Sequence, residues 1–245
     1  MNMKIIVNGA GGHMGREVVR LIQTGHRDAT LAAAVDPVGG EGFYTSLFAY
    51  EGNADCIIDF SHHTSAGVLT EYATRRGIPL VIATTGHTES EKRYINQAAR
   101  YIPVFYSGNT SLGIAVLRGL VRQAVEMFPG ADIEIIERHH NRKIDVPSAT
   151  ALMLADSVKS VRHNAVPLVG RHNDGVRSRN EIGIHSLRMG NTVGIHEVII
   201  STAYETLTLR HEAHDRALYA EGALTAAEFI IGKKPGLYNM SDIFG

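Results

Sequence analysis

Lys4-Ile5-Ile6-Val7-Asn8-Gly9-Ala10-Gly11-Gly12-His13-Met14-Gly15 decides the fold. A short apolar run of strand length feeds a glycine turn, and the turn feeds Arg16 to Gln23, which has helical composition. Glycines at such a turn let backbone N–H groups approach a pyrophosphate, which also meets the positive end of the helix dipole. The spacing is Gly-x-x-Gly-x-x-Gly, with Met14 where the strict dinucleotide fingerprint has its last glycine. The second strand ends at Asp36, about 20 residues after the turn, where a carboxylate commonly binds a ribose 2'-hydroxyl. A carboxylate there repels a 2'-phosphate, and Pro37 follows it where an arginine could have bound one. The expected cofactor is therefore NADH, with NADPH as the lesser alternative.

Outward from this turn, apolar runs alternate with helix-period stretches: Lys4–Asn8, Thr30–Val35, Cys56–Phe60, Leu80–Ala83 and Val104–Tyr106 read as strands. Thr88 and Glu91 have the spacing of a capping box and predict a helix start. This order specifies an α/β unit with a Rossmann-like parallel sheet covered on both faces. Beyond about residue 130 the texture changes. Ile133–Ile136, Ile182–Leu187, Thr192–Ser201 and Glu205–Arg210 read as strands, with a clear helix over Ser148–Ser160. An α+β domain with an open mixed or antiparallel sheet is expected there. A last helix spans Asp215–Ile231 and stops at Gly232-Lys233-Lys234-Pro235-Gly236. The Gly- and charge-rich stretch Gly170–Asn180 reads as a mobile loop.

With 24 Lys plus Arg against 25 Asp plus Glu, the net charge is -1, so no overall field favours nucleic acid or an anionic membrane. No run approaches membrane-span length, and no leader pattern precedes the first strand, so a cytoplasmic protein is expected. Cys56 lies within an apolar strand and reads as a buried thiol.

The densest chemistry lies in Glu137-Arg138-His139-His140-Asn141-Arg142-Lys143-Ile144-Asp145-Val146-Pro147-Ser148-Ala149-Thr150. Two imidazoles and an ammonium within five residues can bind an anion and exchange a proton near neutral pH. Ser148 is a candidate N-cap, and a helix N-terminus beside these cations suits a carboxylate. An exposed basic loop is the alternative reading of the same residues. A metal site is not expected, because adjacent histidines rarely reach one ion and no further ligand set completes them. The other histidines, including His62, His63, His185, His196, His211 and His214, read as structural.

Taken together, the chain resembles the dihydrodipicolinate reductase family of lysine and diaminopimelate biosynthesis over nearly its whole length. The resemblance rests on Gly9 to Gly15, Ile58-Asp59-Phe60-Ser61, Ala83-Thr84-Thr85-Gly86, Asn109-Thr110-Ser111-Leu112-Gly113, the string His139 to Ala151, and the tail from Gly222 to Tyr238. It implies hydride transfer from NAD(P)H to a cyclic unsaturated dicarboxylate. It implies His139 and Lys143 as the acid/base pair, with His140, Ala149 and Thr150 binding the substrate. It implies cofactor contacts from Gly9, Ala10, Gly11, Gly12, His13, Met14, Asp36, Ala83, Thr84, Thr85, Ser107, Gly108, Asn109 and Thr110. Residues 1–107 and 216–245 would form the dinucleotide-binding domain, and residues 108–215 the substrate-binding and oligomerisation domain of a homotetramer. Arg188-Met189-Gly190 also matches, without a mechanism to place it at the site.

Four positions depart from the family pattern: Ala83 and Ala149 stand where glycine is usual, Thr110 where phenylalanine is common, and Ile195 where an acidic residue is common. These changes bear on the substrate more than on the chemistry. A diverged dehydrogenase acting on another imine or enamine dicarboxylate, in the manner of an aspartate dehydrogenase, is the second enzyme reading. A non-catalytic NAD-binding sensor is a third; the retained His139 and Lys143 argue against it.

Overall fold

The computed structural model describes residues 2–172 and 174–244, so Asn173 of the glycine-rich loop and the two terminal residues lie outside the described residues. In chain order the elements are β1 (Met3–Asn8), α1 (His13–Gln23), β2 (Ala29–Val35), β3 (Phe43–Tyr44), β4 (Cys56–Asp59), α2 (Ala66–Arg76), β5 (Leu80–Ile82), α3 (Glu89–Ala98), β6 (Pro103–Tyr106) and α4 (Leu112–Met127). They continue with β7 (Asp132–His139), α5 (Ala149–Lys159), β8 (Val166–Val169), β9 (Glu181–Arg188), β10 (Gly194–Ser201), β11 (Thr206–Ala213), α6 (Ala217–Ile230) and β12 (Gly236–Tyr238). The chain divides into two units, Met1–Ser111 with Arg216–Gly245, and Leu112–Asp215.

In the first unit seven strands form a parallel sheet in the order β12-β6-β5-β4-β1-β2-β3. Its central strands are apolar on both faces: Ile5, Ile6, Val7, Ile57, Ile58, Leu80, Val81 and Ile82 are all fully buried. That pattern requires cover on both sides, which the helices supply. Cys56 belongs to this core, and burial pushes its thiol up, away from the reactive thiolate. The capping box at α3 forms: Thr88 Oγ1 accepts from the Glu91 N–H, and the Glu91 carboxylate accepts from the Thr88 N–H.

The last helix packs within this unit, touching α1 and strands β4, β5 and β6. Ala220, Ala223, Leu224, Ala226, Ala227 and Ile230 of α6 are completely buried. At the predicted stop the chain turns back and adds β12 beside β6, through Gly236–Tyr238. The strand begins at Gly236, the last residue of the expected stop, and its partner is distant in sequence.

The second unit carries a five-stranded sheet in the order β11-β10-β7-β9-β8. The pairs β11·β10 and β10·β7 are antiparallel, while β7·β9 and β9·β8 are parallel, so the sheet is mixed. Helices α4 and α5 cover one face, where Ile133, Ile135, Ile182, Ile184, Val198 and Ile200 meet Leu117, Val121, Leu154 and Val158. Strand β7 runs past the apolar stretch Ile133–Ile136, and its buried positions alternate through Ile133, Ile135, Glu137 and His139. The helix-covered face therefore changes from apolar to polar along one strand. In the stretch expected as a mobile loop, Arg177 is anchored by hydrogen bonds to Asp132, Glu134 and the carbonyls of Ile133 and Glu181.

Candidate active site

The glycine turn leaves β1 with its backbone tied down: the Gly9 and Ala10 N–H groups both donate to the Val35 carbonyl, at 2.9 and 3.0 Å. Gly9 sits at φ +78, the left-handed region. A Cβ on Gly11 would lie 2.9 Å from Asp36 Oδ2, and one on Gly12 would lie 3.3 Å from the Gly9 carbonyl oxygen. Gly12 is the N-cap of α1 and supplies no side-chain oxygen to the first helical N–H groups. Small residues and a helix start uncapped by any side chain suit a pyrophosphate. Asp36 is fixed by two backbone donors, the Gly11 N–H on Oδ2 and the Val38 N–H on Oδ1, each at 3.0 Å. A carboxylate so placed can accept from ribose hydroxyls.

Beside the turn lies a cavity of about 400 Å³ within the first unit, at the carboxyl end of its sheet. It brings together His13, Met14, Ala83, Thr84, Thr85, Gly108, Asn109 and Thr110 from the expected cofactor set. Gly9, Ala10, Gly11, Gly12, Asp36 and Ser107 do not line it. Ser107 acts one step back, its hydroxyl donating to the Asn109 carbonyl at 2.7 Å and so closing the turn. Thr110, where phenylalanine was the family expectation, is buried and donates to the Tyr219 carbonyl at 2.7 Å, which ties this turn to α6.

Sequence reasoning left Asp59 without a role. It is fully buried at the end of β4, and accepts from Asn8 Nδ2 at 2.7 Å, Ser61 Oγ at 2.6 Å and Thr84 Oγ1 at 2.6 Å. Burial raises its carboxyl, and those three donors oppose the rise. Ser61 and Thr84 both line the cavity, so one carboxylate holds two of its walls. The signal was present as Asp59 and Ser61 two positions apart after an apolar strand.

The chemistry-bearing segment of the second unit splits at the end of β7. His139 is 7% exposed, whereas Ile144 further along is 94% exposed, so the basic residues do not share one surface loop. His139 Nδ1 lies 2.5 Å from Glu137 Oε2. Glu137 is 0% exposed and receives both Arg188 Nη atoms at 2.8 Å and the Ser148 N–H at 3.1 Å. Burial alone would push the Glu137 carboxyl up; the hydrogen bonds from His139 and Arg188 outweigh it and hold it well below the usual carboxylate range. Arg188, which had no assigned mechanism, thus belongs to this cluster.

Ser148 is the N-cap of α5, its Oγ accepting from the Ala151 N–H at 3.2 Å. The same Oγ lies 3.1 Å from His196 Nε2. His196, expected to be only structural, is buried with its ring 5.1 Å from that of His139, and burial pushes it down to about 3. Lys143 Nζ pairs with Asp145 Oδ1 at 2.8 Å, His140 is half-buried, and Ala149 and Thr150 are the first residues of α5, the former exposed and the latter buried. Ile195, the fourth departure, is nearly buried on β10 opposite Arg138, and the Arg138 guanidinium lies 3.5 Å from Glu197 instead. No group of three or more His, Cys, Asp or Glu with metal-binding geometry occurs among the described residues, and no helix among them is long and apolar enough to cross a membrane.

The model of the dihydrodipicolinate reductase N-terminus matches residues 3–110 and that of its C-terminus matches residues 113–244. The chain belongs to the dihydrodipicolinate reductase family. The 4-hydroxy-tetrahydrodipicolinate reductase of Caldanaerobacter subterraneus subsp. tengcongensis is 42% identical, over 99% of this chain and 98% of its own. The enzyme of that name from Caulobacter vibrioides is also 42% identical, over 99% and 97%. Among solved structures, the dipicolinate-bound dihydrodipicolinate reductase from Paenisporosarcina sp. TG-14 shares the fold at a TM-score of 0.81 and 22% identity, covering 99% of this chain and 100% of that one. This dihydrodipicolinate reductase homologue is an oxidoreductase that uses a nicotinamide dinucleotide, and the glycine turn described above fits one.

Proposed function

We infer that this chain reduces 4-hydroxy-tetrahydrodipicolinate to tetrahydrodipicolinate in lysine and diaminopimelate biosynthesis, with His139 and Lys143 handling the proton. Replacing a 4-hydroxyl by hydrogen consumes one hydride and one proton and releases water. The reduced nicotinamide, when bound, supplies the hydride. The proton is left to the protein, and the observation that carries the assignment is His139: its Nδ1 is occupied by Glu137, which leaves Nε2 to exchange a proton. A Cβ on Gly194 would sit 3.2 Å from that Nε2, so the glycine keeps it from being covered. Lys143 adds positive charge, His140 takes one carboxylate of the substrate, and the start of α5 at Ala149 and Thr150 takes the other.

On the cofactor side, Gly9 to Met14 hold the pyrophosphate, Asp36 the ribose hydroxyls, and Ala83, Thr84, Thr85 and the Ser107 to Thr110 turn the nicotinamide end. The anchored Asp36 carboxylate supports NADH over NADPH, since its negative charge opposes a 2'-phosphate. Substrate generated in situ from pyruvate and aspartate semialdehyde should drive loss of absorbance of the reduced dinucleotide, with a higher kcat/KM for NADH. No consumption above background would remove the biosynthetic assignment, and a higher kcat/KM with NADPH would remove the cofactor preference.

The same reading includes a homotetramer built on the sheet of the second unit. Its face away from α4 and α5 carries Val166, Leu168 and Leu187, which are 62, 39 and 40% exposed. Light scattering on the purified protein should give about four times the chain mass of 26.6 kDa; a monomer mass would refute it.

A further inference from the structure

We propose that Glu137 is a positioning residue whose single carboxylate sets both the tautomer of His139 and the placement of the first turn of α5. The proposal rests on the reading of His139 as the proton-transferring group. Glu137 and His139 are two apart on β7, so both side chains leave the same face of the strand. Oε2 faces His139 Nδ1 at 2.5 Å and Arg188 Nη1 at 2.8 Å; Oε1 takes Arg188 Nη2 at 2.8 Å and the Ser148 N–H at 3.1 Å. An ionised carboxylate only accepts, so the imidazole must carry its proton on Nδ1. The Nε2 atom is then the one that gains or loses a proton.

Arg188 explains how such a carboxylate is tolerated beside a site for a dicarboxylate. Its fork neutralises Glu137, and Nη2 also donates to the Asp145 carbonyl at 2.7 Å, so the guanidinium is committed to this cluster. Geometry is kept without leaving a bare negative charge to repel the substrate. The other arm of the carboxylate reaches the N-cap: the Ser148 N–H is held by Oε1, while Ser148 Oγ caps the Ala151 N–H and contacts His196 Nε2. Removing Glu137 therefore frees the ring of His139 and the start of α5 together. A residue that only filled the core would do neither.

The test has three arms on the full chain. In the wild-type protein at neutral pH, ring ¹⁵N–¹H correlation spectra should show His139 protonated at Nδ1; a ring protonated on Nε2 alone overturns the proposal without any variant. Glu137→Gln should lower kcat about 10²-fold, with the dinucleotide Kd unchanged and the His139 Nδ1–H signal lost or exchanging. An unaltered tautomer with unaltered kcat overturns it. The double variant Glu137→Gln/His139→Ala should have the kcat of His139→Ala alone, because the tautomer acts only through the histidine, while its substrate KM rises further through the freed start of α5; a further loss of kcat multiplying the first, or an unchanged KM, overturns it. Full kcat in His139→Ala would instead strike the reading of His139, and the wild-type spectra would still decide whether Glu137 sets the tautomer.

Discussion

Replacing His139 with alanine is expected to lower kcat by roughly 10²- to 10⁴-fold while the affinity for the reduced dinucleotide stays the same. Positioned acid/base groups supply an effect of that size, and the ring of His139 is ordered by a buried carboxylate partner at 2.5 Å. The residues proposed above to bind the cofactor, Gly9 to Met14 through Thr110, all belong to the first unit, and His139 belongs to the second. Single-turnover rates with equilibrium dinucleotide titration separate the two quantities. An unchanged kcat would remove His139 from the proton transfer, and a weakened dinucleotide Kd would show that its role is not confined to chemistry.

Gly15→Ala is expected to have the largest effect on the cofactor side. A Cβ at this position would fall 2.0 Å from the Gly9 carbonyl oxygen and 2.8 Å from the Ala10 Cα, both backbone atoms. Neither can move cheaply, since Gly9 and Ala10 donate to Val35 and the Gly9 carbonyl accepts from Gly12. Helix α1 must shift away from β1 instead, which costs about 1–3 kcal/mol of stability. That shift displaces the first helical N–H groups, so dinucleotide affinity should fall about 10- to 100-fold. Gly25→Ala is the control: its φ is +77, yet nothing lies within 4 Å of the new Cβ. It should cost about 1–2 kcal/mol of backbone strain and leave the dinucleotide Kd alone. Equal losses of affinity in the two variants, by titration calorimetry, would refute the steric argument.

The first unit was legible because its signals are local. Apolar runs of strand length, a glycine turn and a capping box each lie within a few residues, and each forms where it was expected. The short edge strands were not legible, because Phe43–Tyr44 and Gly236–Tyr238 are too brief to alternate and are defined by partners elsewhere in the chain. The site followed the same division. His139, His140 and Lys143 stood out as a dense cluster of basic residues, whereas Glu137 and Arg188 meet across 51 positions through strand register. Strand β7 was expected to end at Ile136, where apolar residues give way to polar ones. Burial in fact continues on alternate residues to His139. The Glu-x-His spacing held that information, and a strand-period count not restricted to apolar residues would have found it.

The return of α6 to the first unit has a consequence during synthesis. When a ribosome has delivered Ser111, the sheet that will carry the cofactor still lacks the helix whose Ala223, Leu224, Ala227 and Ile230 it will bury, and its edge lacks β12. The nascent chain must therefore keep an incomplete apolar surface while the entire second unit emerges, and a segment translated after that unit closes the domain begun before it.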